Sequence, residues 1–445
     1  MTDKEISTAR TYLKYLSDLL TKEEVANKGL FKLPKPFPAA PTLSGPVTIT
    51  PSSTQVGGAG TGIFNFTLIN AAENGGGDVI LDGDFVNGFS IRRADGDATH
   101  KYRFRATAGT ILGAASGSVP GISQTDYGNY QEWFGDSANL NPMVVKGERG
   151  VFIGARPSGA VVVFRDMVGK SNTASTWTCN GNNTSGAYYA SIVQDFCRSF
   201  LSGQEGTAYF GKTSSGGAPI SSVIKRHNFA YSPFRDGWQV QVCSSLLVEN
   251  ETIVNAGQRN GIDGSDQKNN LQIECCKGTV RYGIYDNAVA LWNLFTNGVT
   301  IQNNYFSSVL PGFIGKSDNP AFYYNADAGG LNALIDGSDI IIENNYFKNK
   351  GVANYAFEIA ESKANIIIRN NIFQDYGASC YLDSRGAHTN TITGDIGNNG
   401  NVATTIIEPT YLAEYNNPDN YNTHGRLHEA SVYFPLKFGY RNPLN

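Results

Sequence analysis

A short phrase recurs along the second half of this chain and limits the folds open to it. Each copy begins with a β-branched residue and continues through polar residues, often Asn-Asn. The copies align on Ile224, Val248, Ile273, Ile301, Ile342 and Ile368, with spacings of 24, 25, 28, 41 and 26 residues. A period in the twenties with strand-like alternation predicts a solenoid of β-strands. One repeat cannot bury its apolar face alone, so each coil is expected to stack on its neighbours.

Composition agrees with many short strands joined by turns. The chain has 50 Gly, 23 Tyr and 24 Phe among 445 residues, and 17% of its residues are charged. A net charge of −4 gives no electrostatic basis for binding nucleic acid. There is no run of about 18 apolar residues, so no membrane span is expected. The six cysteines lack a zinc-binding spacing, and we expect buried thiols, no metal and no cofactor.

The patterning divides the chain into four regions. Residues 1–32 predict an amphipathic helix, which either packs on its own solenoid or mediates self-association or docking. Residues 33–51 are Pro-rich and predict a stiff linker. Residues 52–408 predict the solenoid, with a capping helix at 63–73 and a loop or excursion near 170–220. The last region, 409–445, loses the repeat and predicts a C-terminal cap.

The capping helix, the Gly-rich break after it and phrases such as Ile-Gln-Asn-Asn-Tyr-Phe at 301–306 resemble the pectin-lyase-like right-handed parallel β-helix family. The resemblance implies an all-β, single-stranded parallel β-helix with a ladder of stacked Asn side chains. The matching positions are Asn250, Asn303, Asn344 and Asn370, whereas Arg226 and Cys275 depart from the pattern.

The same resemblance implies activity on polysaccharides. Hydrolysis needs two carboxyl groups, and adjacent coils supply suitable separations. The predicted catalytic acids are Asp236, Asp263, Asp266 and Asp336. The alternative is that these Asp-Gly sequences are ordinary turns. The predicted substrate-binding residues are Arg226, His227, Arg235, Trp238, Tyr323, Tyr324 and Glu358. β-Elimination is the second choice, with Lys225, Arg226, His227 and Arg235 as base and cations.

An amphipathic helix and a Pro-rich spacer ahead of a β-helix, without the apolar stretch of a secretory signal, resemble a bacteriophage tailspike. The resemblance implies a homotrimer that docks through its N-terminal helix to a virion or tail protein and degrades a bacterial surface glycan. We then expect synthesis in the host cytoplasm and location in the virion tail. Two alternatives stay open: a non-catalytic receptor-binding protein of the virion, and a secreted polysaccharide lyase or hydrolase.

Overall fold

The structure is a computed structural model. It describes residues 44–51, 64–67, 76–85, 88–92, 101–107, 111–113, 120–124, 130–135, 143–154, 159–181, 189–211, 219–260, 268–296, 298–315, 340–351, 353–360, 366–376, 380–383, 391–393 and 396–397. The predicted N-terminal helix, most of the linker and the C-terminal cap lie outside these residues.

The described strands build a right-handed parallel β-helix, which confirms the predicted fold class. Each coil passes through three sheets, and strands pair in parallel with their counterparts in the next coil. Sheet I contains β1 (Ser44–Ile49), β3 (Gly76–Leu81), β5 (Lys101–Ala106), β8 (Tyr130–Phe134), β11 (Ala160–Arg165), β14 (Tyr189–Asp195), β17 (Val223–Arg226), β23 (Gly298–Gln302), β26 (Ile340–Glu343), β29 (Ile366–Arg369) and β32 (Thr391–Thr393).

The other two sheets follow sheet I within each coil. Sheet II contains β6 (Ile111–Leu112), β9 (Met143–Gly147), β12 (Met167–Ser171), β15 (Arg198–Phe200), β18 (Phe229–Tyr231), β20 (Thr252–Val254), β24 (Tyr305–Leu310), β27 (Tyr346–Asn349), β30 (Ile372–Gln374) and β33 (Ile396–Gly397). Sheet III contains β2 (Phe64–Thr67), β4 (Phe89–Arg92), β7 (Ile122–Gln124), β10 (Val151–Gly154), β13 (Trp177–Asn180), β16 (Thr207–Phe210), β25 (Gly312–Gly315), β28 (Phe357–Ala360) and β31 (Tyr381–Asp383).

Three longer strands turn a corner and belong to two sheets each. β19 (Trp238–Glu249) and β21 (Asn269–Arg281) run from sheet III into sheet I, and β22 (Ile284–Phe295) runs from sheet II into sheet III. A short 3-10 helix, Gln258–Asn260, follows β20. Among the described residues, no helix is long and apolar enough to cross a membrane.

Single residues in the left-handed conformation make the corners. Between sheets I and II they are Asp166, Phe196, His227, Asn250, Tyr282, Asn303, Asn344 and Asn370, with φ between 52° and 58°. Asn tolerates this conformation because its short side chain can hydrogen-bond locally. Asn250, Asn303, Asn344 and Asn370, the predicted ladder residues, therefore form the bends. The ladder itself is formed by the residues that follow Asn303, Asn344 and Asn370.

The observed ladder consists of Asn304, Asn345 and Asn371. The backbone N–H of Asn304 donates to Asn345 Oδ1 at 3.0 Å, and that of Asn345 donates to Asn371 Oδ1 at 3.0 Å. Asn345 Nδ2 also donates to the backbone oxygen of Ile301 at 2.8 Å. The first Asn of each Asn-Asn pair thus bends the chain, while the second satisfies buried backbone groups around the bend.

The interior register differs from the predicted alignment at two coils. Val248, Val280, Ile301, Ile342 and Ile368 occupy equivalent buried positions, as pairing of successive strands shows. The equivalent residue in β17 is Lys225, because Lys225 pairs with Val248. Ile224 therefore points outward, and Ile273 belongs to sheet III. The prediction failed here because it assumed that the apolar residue of each pair faces inward.

Lys225 is held by a polar network inside the solenoid. Its Nζ donates to Gln194 Oε1 at 2.7 Å and to Thr207 Oγ1 at 3.2 Å, and lies 3.8 Å from Glu251 Oε2. Burial lowers the pKa of Lys225, and the carboxyl group of Glu251 opposes that shift. Lys225 points into the interior of the solenoid, at the position equivalent to Val248, so it cannot act as a base on a ligand outside the coils.

Two further predictions on local structure are corrected. Residues 64–67 of the predicted capping helix form β2, because Phe-Asn-Phe-Thr has strand propensity and pairs in parallel with β4. The described part of 170–220 contains β13, β14, β15 and β16 as regular coils. Its Ser and Thr residues looked like a loop, but Trp177, Tyr189 and Tyr209 fill the interior there.

Candidate functional site

The outer face of sheet III carries a polar cluster on three successive strands. Gln239 of β19 pairs with Gln272 of β21, and Gln272 in turn pairs with Asn293 of β22. Gln241 and Glu274 are likewise paired, one step further along the strands. Side chains alternate along a strand, and the intervening Val240, Ile273 and Leu294 are fully buried core residues, so the cluster points outward.

Glu274 lies at the centre of this cluster and accepts two amide hydrogen bonds. Gln241 Nε2 donates to Glu274 Oε2 at 2.8 Å, and Gln272 Nε2 donates to Glu274 Oε1. Glu274 is 3% exposed although it points outward, so the face is covered at this point. Burial raises the pKa of Glu274 to about 7, while the amide groups of Gln272, Gln241 and Gln239 limit the rise. A carboxyl group with this pKa can give or take a proton near neutral pH.

Two acceptors beside Glu274 have no hydrogen-bond partner within the described part of the chain. They are Gln272 Oε1 and Asn293 Oδ1, and both are buried. Buried polar atoms in native proteins are nearly always hydrogen-bonded. The cluster therefore combines an ionisable carboxyl group with two buried acceptors that have no hydrogen-bond partner among the described residues.

Asp236 is the only one of the four predicted acids that lies within the described residues, and it occupies the corner between sheets II and III. Its Oδ1 accepts hydrogen bonds from Asn269, at 2.7 Å from the backbone N and 3.0 Å from Nδ2. Glu205 holds the equivalent position one coil earlier, since Thr207 pairs with Trp238. Burial, and secondarily the charge of Glu205, raise the pKa of Asp236 well above its usual range.

Glu205 and Asp236 are therefore a pair of carboxyl groups in adjacent coils, as the predicted hydrolysis requires. Both are bound to protein groups that hold the coils together. Asp236 is completely buried and supports the backbone of the next coil. Glu205 accepts a hydrogen bond from Ser175 Oγ, and Arg235 Nη1 lies 3.9 Å from Glu205 Oε1. The structure thus brings Arg235 and Asp236 together around Glu205, at a corner of the coil and not on the open face of a sheet.

Arg226 and His227 lie on a different side of the solenoid. Arg226 is on the outer face of sheet I, with its Nε 3.2 Å from Glu249 Oε2. His227 makes the following bend; its Nδ1 is 3.2 Å from Asp195 Oδ1, and its ring stacks on Phe196 with centroids 4.5 Å apart. Both side chains have protein partners, and neither shares a sheet face with Glu274.

The remaining predicted residues divide between interior, outer face and undescribed segments. Trp238 is 1% exposed and points inward, so its ring does not stand on an outer face as a sugar-stacking role requires. Glu358 of β28 pairs with Phe313 and lies on the outer face of sheet III, where Phe313 follows Asn293. Asp263, Asp266, Asp336, Tyr323 and Tyr324 lie outside the described residues, and their roles stay predictions.

The repeat pattern does not single out Glu274 or Glu205, for identifiable reasons. Aligning Ile273-Glu274 with the phrase of sheet I hides the place of this strand on sheet III. The useful signal was the alternation Trp-Gln-Val-Gln at 238–241 and Leu-Gln-Ile-Glu at 271–274, with amides on one side. For Glu205 the signal was an acid-Gly pair at 205–206 that matches Asp236-Gly237 in the next coil.

A family model supports the fold. A family model described as a right-handed β-helix region matches residues 212–396, which include Asp236, Glu274 and Glu358. Among solved structures, the chain is similar to an alginate lyase from Paenibacillus sp. str. FPU-7, with 11% sequence identity and a TM-score of 0.21. That match covers 79% of this chain and 98% of the lyase chain. No curated protein sequence matches the chain.

Proposed function

We propose that this chain binds and depolymerises a bacterial surface polysaccharide, in the manner of a phage tailspike, by hydrolysing glycosidic bonds at the outer face of sheet III. The observation that carries the proposal is Glu274, a carboxyl group with a pKa of about 7 on an outward face lined by amides. Amide side chains both donate and accept hydrogen bonds, as sugar hydroxyl groups do.

In the proposed reaction Glu274 is the general acid. It protonates the glycosidic oxygen as the bond from that oxygen to the anomeric carbon breaks, and water adds to the anomeric carbon while a second carboxylate takes its proton. The described residues that flank Glu274 on the sheet, Gln241, Gln272 and Phe295, carry no charge. Segment 261–267 leads directly into the strand that bears Glu274, and its Asp263 and Asp266 stay the predicted second carboxylates.

The test is a panel of bacterial capsules, O-antigens and uronate-containing polysaccharides, in which new reducing ends and ultraviolet absorbance are recorded together. Hydrolysis predicts new reducing ends without absorbance, whereas absorbance would show elimination across the uronate ring. Binding without any new ends would overturn the enzymatic proposal and favour a receptor-binding protein. Glu274→Gln should abolish cleavage, and Glu343→Gln, a matched change on the outer face of sheet I, should not.

The tailspike part of the proposal concerns assembly and location, and it rests on residues 1–51 of the sequence. A homotrimer predicts a particle of three times the 48.0 kDa chain mass in light scattering. Deleting residues 1–32 should prevent docking to the virion tail and leave cleavage by the solenoid intact. A monomer that never associates with virions would contradict this part alone.

A further inference from the structure

Cys243 and Cys276 are stacked on one another in the interior of the solenoid. They are register partners in the parallel pairing of β19 with β21. Both belong to the hydrophobic core and are 0% exposed, so their side chains point to the same, inner side of the two strands. Both are free thiols, and the proposed reaction uses neither of them.

The spacing of these two cysteines fits a disulfide bond. Register partners on neighbouring parallel strands lie about 4.8 Å apart, and disulfides join residues whose Cα atoms are about 4.4–6.8 Å apart. Cys276 Sγ donates a hydrogen bond to the backbone oxygen of Val240 at 3.5 Å, so this sulfur leans from β21 toward β19, the strand that carries Cys243. The backbone therefore holds the pair within the range of a disulfide, and rotation of the side chains joins the sulfurs.

The neighbouring Cys275 does not share this position. It makes the corner between sheets III and I in the left-handed conformation, with φ of 50°, as Val242 does one coil earlier with φ of 55°. Because Cys243 pairs with Cys276, the residue stacked on Cys275 is Val242 and not a cysteine. The register therefore selects Cys276, and Cys275 supplies a matched control one position away.

We propose that Cys243 and Cys276 form a reversible disulfide between adjacent coils when the chain meets a small-molecule disulfide oxidant such as oxidised glutathione. One cysteine thiolate attacks a sulfur of oxidised glutathione, whose S–S bond breaks, and one glutathione thiolate leaves. The second cysteine thiolate attacks the protein sulfur of the mixed disulfide and releases the other glutathione. The two cysteines lose two electrons, and the two glutathione molecules that form take up the two thiol protons.

Burial of the pair controls how fast the bond forms. Burial raises the pKa of Cys276, and the neighbouring Cys243 thiol raises it further, so the attacking thiolate is scarce while the coils are closed. Exchange therefore proceeds when β21 opens from β19, and the finished bond is shielded from reductants once the coils close.

The bond would cross-link the two strands that carry the candidate acid and its amide partner. Gln241 stands two residues before Cys243 on β19, and Glu274 stands two residues before Cys276 on β21. A covalent link at this point fixes the pairing of the two strands, because it prevents β21 from leaving β19. The inference stands independently of the proposed function, since the reduced chain has the same residues on the outer face.

The test incubates the full, folded chain with oxidised or with reduced glutathione in urea below the unfolding transition, which lets coils open. Remaining thiols are blocked with N-ethylmaleimide, and peptide mapping with fragment spectra assigns the bond to Cys276 or Cys275. We expect a Cys243–Cys276 bond in oxidised glutathione only, and a Tm about 5 °C above that of the reduced chain. Cys276→Ala should abolish both the bond and the shift in Tm, whereas Cys275→Ala should keep both.

Three results would overturn the inference: both thiols stay open to N-ethylmaleimide after prolonged oxidation, the bond formed involves Cys275, or Cys276→Ala keeps the shift in Tm. Cys243→Ala removes the other partner of the same bond and repeats the test if Cys276→Ala does not fold. Circular dichroism confirms that each variant is folded. The reducing-end assay, run on the reduced and the oxidised chain, keeps the proposed reaction separate from this result.

Discussion

On the outer face of sheet I, Glu249 lies between two guanidinium groups, whereas on the outer face of sheet III, Glu274 lies between two amides. Arg281 Nε donates to Glu249 Oε1 at 2.7 Å, and Arg226 Nε is 3.2 Å from Glu249 Oε2. On sheet I the carboxylate is balanced by opposite charge. On sheet III, hydrogen bonds without charge leave burial as the larger effect, and the pKa rises to about 7. The same coil geometry thus supports a structural ion pair on one face and a carboxyl group with a raised pKa on another.

The largest expected effect is on catalysis. Glu274→Gln keeps the shape of the side chain but removes the proton that the proposed reaction needs. We expect the rate of polysaccharide cleavage to fall about 10²–10⁴-fold, measured as new reducing ends. Glu343→Gln on sheet I should leave the rate unchanged. Full activity in a folded Glu274→Gln protein would remove Glu274 from the reaction.

The second effect is on stability, and it depends on pH. The pKa of Glu274 is about 7 in the folded chain, against an ordinary value of 4.5 for a glutamate in the unfolded chain. Between these values the folded state binds more protons than the unfolded state, so the free energy of unfolding falls as pH rises through the window. Glu274→Gln removes this loss and should stabilise the chain by about 3 kcal/mol at pH 8.

At pH 4 the same substitution should have almost no effect, because the carboxyl group is protonated in both states. Urea unfolding of the two proteins at a series of pH values measures the difference. A stability gap that stays constant from pH 4 to pH 8 would contradict the raised pKa of Glu274.

The third effect is a loss of stability, opposite to the gain expected for Glu274→Gln, and it concerns a residue of sheet I. Glu249→Gln removes the charge between Arg226 and Arg281, and it should lower the free energy of unfolding by about 1–2 kcal/mol at neutral pH. Added salt should reduce this loss, because it screens the partly exposed guanidinium of Arg281. Chemical denaturation at low and high ionic strength checks both points. If Glu249→Gln stabilised the chain, the conclusion that opposite charge balances Glu249 on sheet I, unlike Glu274 on sheet III, would be wrong.

The smallest effect is expected where the ion pair is open to solvent. Arg369 Nε donates to Glu343 Oε2 at 2.6 Å, but the Arg369 side chain is 45% exposed. Glu343→Gln should therefore change the free energy of unfolding by less than about 1 kcal/mol. A loss as large as that for Glu249→Gln would mean that burial does not determine the strength of these pairs.

Much of the fold could be predicted from the sequence, because period and alternation are properties of the chain itself. The repeat identified a parallel solenoid, and the Asn-Asn pairs marked its corners. The ladder was misplaced by one residue because both Asn residues of a pair fit a turn, and only the backbone shows which one takes positive φ. The coil at β17 was shifted because an interior lysine contradicts the usual rule for buried positions.

The candidate site was less predictable, because it depends on which residues of distant coils share a face. Asp236 and Arg235 were identified, but their neighbour Glu205 was hidden in a segment rich in Ser, Thr and Gly. Glu274 was hidden by an alignment that placed its strand in the wrong sheet. A shift of one strand among the three sheets changes every neighbour of a side chain, so sequence patterns alone could not assemble the cluster.

The polar network around Lys225 has a consequence for how the coils align. A solenoid with nearly identical repeats has approximate translational symmetry along its axis. Such a chain can misfold so that the strands of one coil pair one coil out of place. Lys225 breaks that symmetry, because its partners Gln194 and Glu251 come from the coils on either side. A displaced stack would bury the ammonium group against aliphatic side chains, at a cost of several kcal/mol. One lysine in the interior thus fixes which coils stack on one another in a repetitive chain.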